Sequence, residues 1–188
     1  MKDLTKGRPS VLILTFALPI FLANLLQLTY SLADTRIVGT FLGDNALAAV
    51  GATTTLSNLI VQFLMGMCNG FAIISAQCFG AKDMDRLRRS LGNSLVLGLL
   101  AAVVLTFGGL VFLQPILRFL NVPENLLNTA TQYVSVIIAG LVITLLYDVL
   151  SATLRAIGDT VTPLIVLAVS VVLNIGGDLL LIVVLHMG

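Results

Sequence analysis

Long apolar runs separated by short polar turns set the elements of this chain. A helix that crosses a membrane needs about 20 predominantly apolar residues. Five stretches reach that length: about Val11 to Gly39, Leu47 to Phe79, Leu91 to Leu113, Thr131 to Leu154 and Pro163 to Leu185. Several exceed it, which implies tilt or extension past the hydrocarbon. The connections are short, at Gly43-Asp44, Gly80 to Ser90, Asn121 to Asn125 and Ile157 to Thr162, so consecutive helices become antiparallel neighbours. The pattern predicts an all-α fold: one polytopic bundle of five transmembrane helices over residues 1–188, with no soluble domain.

Within the apolar runs the polar residues are not scattered. In the first helix Asn24, Gln27, Ser31 and Asp34 fall within about 80° of arc at 100° per residue. In the second, Asn58, Gln62 and Asn69 share about 40°. In the fourth, Thr144, Tyr147, Asp148 and Ser151 lie on one face, and in the fifth Ser170, Asn174 and Asp178 stack at four-residue spacing. The third helix is nearly all apolar, which predicts a peripheral position or contact with lipid. Lipid penalises a polar stripe, so four striped helices imply either a shared polar interior or interhelical hydrogen bonds in a dry bundle.

The carboxylates favour the polar interior. An Asp at the centre of a membrane helix costs about 2.5–3.5 kcal/mol on insertion scales. Asp34, Asp148 and Asp178 lie in or near the apolar runs, and no Lys or Arg shares their faces; Arg36, two residues from Asp34, points elsewhere on a helix. Such a carboxylate can take up and release a proton, or hold Na⁺ together with neutral oxygen ligands. Asp178 stands roughly 22 Å along the fifth helix from Pro163, in its far half. Asp34 stands late in the first helix, which runs the same way, so Asp34, Asn174 and Asp178 can meet at one level. Asp148 lies nearer the opposite surface, as a second polar site or a wetted helix end.

Composition narrows the class. The chain is 58% hydrophobic and 10% charged, with a mean hydropathy of +1.08. A soluble domain of this size has too much surface to look like this. The net charge of +1 implies neither an acidic nor a basic partner, and there is no nucleic-acid patch. Cys68 and Cys78 form no CxxC and read as small apolar thiols, and His186 takes no role. No nucleophile–base pair, metal cluster or phosphate loop is present, so an enzyme and a bound cofactor are not expected. Lys2, Lys6 and Arg8 precede an apolar run too long for a signal peptide, which predicts an uncleaved first helix. Those three residues, Lys82, Arg86, Arg88, Arg89 and Arg155 collect on one side, against Arg118 and Arg36 on the other. The N-terminus is therefore expected in the cytoplasm. Pro19 removes a backbone hydrogen bond inside the first helix and makes either a static kink or a hinge. Gly66 and Gly70 form a GxxxG, a weakly specific packing motif, and Gly176 and Gly177 adjoin the acidic face of the fifth helix.

Several motifs occur together in order: Pro19, Ala33-Asp34-Thr35, Val38-Gly39, LGDNALAAVG at Leu42 to Gly51, AQCFGAKDMDRLRR at Ala76 to Arg89, LRAIGDTVTPL at Leu154 to Leu164, and Asn174-x-x-x-Asp178. With them the chain resembles the N-terminal half of multidrug and toxic compound extrusion (MATE) transporters. The resemblance implies a 6+6 transporter of two six-helix lobes, of which these five helices form most of one lobe, with a sixth helix and a C-terminal lobe missing here. It implies antiport: export of cationic, amphipathic drugs against H⁺ or Na⁺, in a bacterial or archaeal plasma membrane. Coupling is then expected at Asp34, Asn174 and Asp178, which are also the possible Na⁺ ligands. Tyr133 is implied as a supporting residue, beside the polar residues Asp148, Asn24, Gln27, Asn58 and Gln62, and Pro19 as the hinge. Asp148 departs from the Asn more common at that place. Two other readings remain: a lipid-linked sugar flippase of the same superfamily, which would carry cations in its cavity, and a non-transporting membrane scaffold or relic whose stripes serve helix association.

Overall fold

The computed structural model describes residues 9–41, 43–178 and 180–181. Among these the chain is helical with no strand: α1 (Pro9–Phe41), α2 (Asp44–Gly80), α3 (Met84–Phe119), α4 (Glu124–Ala139), α5 (Leu141–Ala156) and α6 (Val161–Asp178). Four of these, α1, α2, α3 and α6, are long and apolar enough to cross a membrane, and the bent α4–α5 pair supplies a fifth span if counted as one. The chain is thus the all-α membrane helix bundle expected. The first three helices run further than hydropathy alone indicated, because polar residues at their ends continue the helix beyond the apolar window. The expected end at Leu185 lies outside the described residues, as do Lys2, Lys6, Arg8 and His186.

The turns explain the local sequence. Lys82 (φ 58°) takes the left-handed conformation between α2 and α3, and the Asp83 carboxylate then accepts from the Arg86 backbone N–H at 2.9 Å. That N-cap satisfies one of the orphan amides at the start of α3. Before α6, Gly158 (φ 88°) makes the turn and Asp159 caps the helix. The Asp159 carboxylate accepts from the Val161 N–H at 3.2 Å, the Thr162 N–H at 3.0 Å and the Thr162 hydroxyl at 2.6 Å. Pro163 follows in the first turn, where its missing N–H costs nothing.

Where one helix was expected over Thr131 to Leu154, the chain makes two, bent by 43°. The break falls at Gly140, whose N–H donates to the carbonyls of Val136 and Ile137. A carbonyl at the break finds a partner across the bundle: the Thr106 hydroxyl donates to Ile138 O at 3.2 Å. A lone glycine in an apolar run gave no stop signal, which is why the sequence read as continuous.

The helices divide into two compact units, residues 1–47 with 157–188, and residues 48–156. In the first, α1 packs on α6. In the second, α3 packs on both α4 and α5 around one apolar core. Leu64 and Cys68 of α2, Leu113 and Leu117 of α3, Val134 and Ile138 of α4 and Leu141 and Leu145 of α5 all enter that core. α3 thus gives one face to this core, while Val96, Leu100, Val104, Phe107 and Val111 stay exposed, as expected of a helix in contact with lipid. Its face Ser94, Gly98, Ala102 is buried, and small side chains there bring the neighbouring helices close. A Cβ on Gly98 would stand 3.0 Å from Leu145 Cδ1, and one on Gly109 would stand 3.0 Å from Ile138 Cδ1. Close approach over small residues is how membrane helices gain dispersion contacts without a hydrophobic driving force. The Gly66–Gly70 motif makes no such contact, since a Cβ at either meets nothing within 4 Å.

Candidate functional site

Hydroxyls turn out to be poor markers of a polar interior. Thr35 donates to Ser31 O, Thr144 to Gly140 O and Ser170 to Val166 O, each back along its own helix. A hydroxyl satisfied in this way can face lipid at little cost. The informative members of each stripe are therefore the amides and carboxylates. Asn24, Gln27, Asn58, Gln62, Asn69 and Asn174 are all exposed, and none makes a hydrogen bond among the described residues. Within each unit they do not act as interhelical glue.

In the first unit the two acids stand apart from these amides. On α1, half-buried positions recur at Ala23, Leu26, Tyr30, Ala33, Asp34 and Ile37, so Asp34 sits in the helix's inner stripe. On α6 the half-buried positions include Val171, Ile175 and Asp178. The helices that carry the two carboxylates are packed together, and Asp34 lies within the electrostatic reach of Asp178. The Asp178 Oδ2 atom is fully buried and has no hydrogen-bond partner among the described residues. Buried carboxylate oxygens are almost always paired, which sets this one apart. Asn174 lies one turn before Asp178, exposed, with its amide free. Within α1 the single basic residue is Arg36, exposed, and α6 has none. α1 continues as one helix through Pro19.

The second unit holds Tyr133 on α4, half-buried against the apolar core, and Asp148 on α5, also half-buried. Asp148 is less isolated than the sequence implied. Arg155, seven residues on and in the last turn of α5, lies within its electrostatic reach, as Asp148 does of the buried Cys68. Seven residues are two turns of one helix, so this partner was legible in the spacing. No group of three or more His, Cys, Asp or Glu side chains that could hold a metal occurs among the described residues.

A membrane bundle with acids and exposed amides on its apolar helices carries more than a plain anchor needs, because lipid penalises such groups. The comparisons with known proteins define it further. The MatE family model matches residues 19–180, and the chain belongs to that family. The probable multidrug resistance protein YoeA of Bacillus subtilis is 35% identical over 172 residues, which cover 90% of this chain and 37% of that protein. The probable multidrug resistance protein NorM of Thermotoga maritima is 30% identical over 165 residues, 87% of this chain and 35% of that protein. A solved outward-facing multidrug resistance MATE family transporter of the MOP superfamily superposes with a TM-score of 0.89 at 27% identity, covering 98% of this chain and 41% of that one. The chain thus spans well under half the length of the relatives it matches.

Proposed function

We propose that this chain forms the cation-responsive lobe of a membrane exporter for cationic, amphipathic drugs, coupled to H⁺ or Na⁺. The observation that supports it is the buried, unpartnered Asp178 Oδ2 on a helix packed against the one that carries Asp34. A proton on either carboxylate would halve the charge of the pair and could supply the missing hydrogen bond. Na⁺ would instead take oxygens from Asp34, Asp178 and the Asn174 amide, a donor set of the hard, oxygen-only kind that suits it. An ion that satisfies Asp178 in one arrangement of α1 and α6 better than in another shifts the population between them. Pro19, with no N–H to give to the α1 ladder, is the place where α1 bends at least cost.

The orientation in the reading follows from charge. Lys82, Arg86, Arg88, Arg89 and Arg155 mark the cytoplasmic side of a bacterial or archaeal plasma membrane, and drug binding needs the second lobe that its relatives' length leaves room for. The name multidrug resistance protein, carried by the relatives, agrees with drug-like substrates.

The test uses the intact transporter in drug-challenged cells. Asp34→Asn and Asp178→Asn are expected to abolish resistance, each at unchanged abundance in the membrane. Efflux at the wild-type level from either variant sinks the reading. Loss of membrane abundance in both would instead make the two acids assembly residues, as a scaffold requires.

A further inference from the structure

A second polar site stands in the α2–α3 hairpin, in the second unit. A cavity of about 590 Å³ opens there. From α2 it is lined by Phe71, Ile74 and Gln77, and from α3 by Arg86, Arg89, Asn93 and Leu97. The α3 residues fall at steps of three and four, so they share one face. Polarity is graded along that face: two guanidiniums near the turn, then an amide, then a leucine about 16 Å from Arg86 along the helix. α2 repeats the gradient from the other side, with Gln77 nearer the turn and Ile74 and Phe71 further from it. A weak contact of 3.4 Å between the Ser75 and Ser90 hydroxyls ties the two helices beside the cavity, and Ser94 donates to Ser90 O at 2.7 Å.

Both helices are candidate membrane spans. Their turn carries Lys82, Asp83, Asp85, Arg86, Arg88 and Arg89, four cations against two acids, so it must stand at the membrane surface with the apolar part of the cavity below it. Neither Arg86 nor Arg89 forms an ion pair among the described residues. Asp83 also lines the cavity, but its Oδ1 is engaged by the Arg86 backbone N–H. The α3 N-terminus is thereby already capped, and the anion-binding capacity of the cavity rests on the two guanidiniums.

We propose that this cavity binds the phosphate headgroup of an anionic phospholipid from the adjoining leaflet, with the start of an acyl chain lying along Leu97, Ile74 and Phe71. Guanidiniums offer paired N–H donors that match phosphate oxygens, and the Gln77 and Asn93 amides can bond glycerol or ester oxygens. A free phosphate would use the same cations but leave the apolar half of the cavity idle. The site does not depend on the proposed transport reaction or on the acids of α1 and α6.

Native mass spectrometry of the purified chain, released from detergent with added lipid, tests this. Phosphatidylglycerol, phosphatidylcholine and inorganic phosphate serve as the three probes. Phosphatidylglycerol is expected to bind in preference to both others. Arg86→Gln and Arg89→Gln should each weaken it about fivefold and the double variant about thirtyfold, the loss expected for one and two interfacial cations. Arg88→Gln removes the same charge from the same turn without touching the cavity, and should leave binding within about twofold. Leu97→Asn should weaken lipid binding further than it weakens phosphate binding. Equal binding of phosphatidylcholine, or an Arg88→Gln loss as large as that of Arg86→Gln, overturns the site in favour of diffuse surface charge. Phosphate that binds as tightly as phosphatidylglycerol overturns the lipid and leaves a soluble anion as the ligand. Should a glutamine variant unfold, Arg86→Lys and Arg89→Lys retain the charge, and they are expected to bind more weakly than wild type but above the glutamine level.

Discussion

The α3–α4–α5 core and the α1–α6 pair are built from nearly the same amino acids and use them in opposite ways. In the core, small residues are the instrument: Gly98 and Gly109 let Leu145 and Ile138 approach to the limit of van der Waals contact. At its helix break the Thr106 hydroxyl bonds the Ile138 carbonyl, although Ser57 Oγ of the same unit is buried without a partner among the described residues. In the α1–α6 pair a carboxylate oxygen is buried without a partner among the described residues, and a Cβ on Gly176 or Gly177 would meet nothing within 4 Å. Stability in a membrane comes from packing, because the lipid already solvates apolar side chains. A unit that closes its packing is a frame. On the proposed function, the unit with the open carboxylate holds a free-energy difference for the ion that satisfies it, and that difference would drive the change of state.

The sharpest way to break this comparison is to overfill the frame. Gly98→Leu places a branched side chain where even a Cβ is 3.0 Å from Leu145 Cδ1. Overpacking on that scale costs about 3 kcal/mol. It should appear as a clear drop in the thermal unfolding midpoint in detergent. Gly66→Leu and Gly70→Leu, in open space, are expected to stay within about 0.5 kcal/mol of wild type in the same assay. Equal losses at Gly66 and Gly98 would mean that the small residues of α3 are not what holds the frame.

Emptying the frame comes next. Leu145 is fully buried. In water-soluble proteins Leu→Ala loses both transfer free energy and cavity contacts. In a membrane the transfer part largely vanishes, because the side chain of the unfolded state rests in lipid. The remaining cavity part is about 2 kcal/mol. Combining Leu145→Ala with Gly98→Ala, which returns a methyl group to the vacated space, should recover part of that loss, and a double-mutant cycle reads the coupling directly.

How much of this was legible in the sequence differs between the two regions. Hydropathy gave α1, α2, α3 and α6, because 20 apolar residues in a row permit little else. Adding depth to periodicity put Asp34 and Asp178 at one level, and the structure places them on helices packed together, within electrostatic reach. The frame was harder to see. Its key residues are glycines and an alanine in an already apolar run, where they change hydropathy little, and a search for polar stripes passes over them. The break at Gly140 was hidden for a similar reason: nothing polar announces it, and its missing hydrogen bonds are repaired by Thr106, far away in sequence. Arg155 was read only as a loop charge, although two helical turns from Asp148 is close enough to matter.

The smallest effect expected lies at the junction that starts α6, and it sharpens the contrast from the other side. Asp159 finds its hydrogen bonds on its own turn: the Thr162 hydroxyl and backbone N–H hold its carboxyl below the usual carboxylate range, helped by the Val161 N–H. Its capping contribution is therefore complete above the ordinary carboxylate value of 3.8 and is lost as pH falls through the lower value it has when folded. Asp159→Ala should cost about 0.5 kcal/mol at neutral pH, the low end for an exposed cap. The difference from wild type should shrink only in strong acid, and Asp159→Asn should recover most of it. A cap that satisfies its own turn contributes stability and leaves nothing for a ligand to take. A loss of drug export from Asp159→Ala with helix stability intact would show that the start of α6 belongs with Asp34 and Asp178 in the proposed change of state.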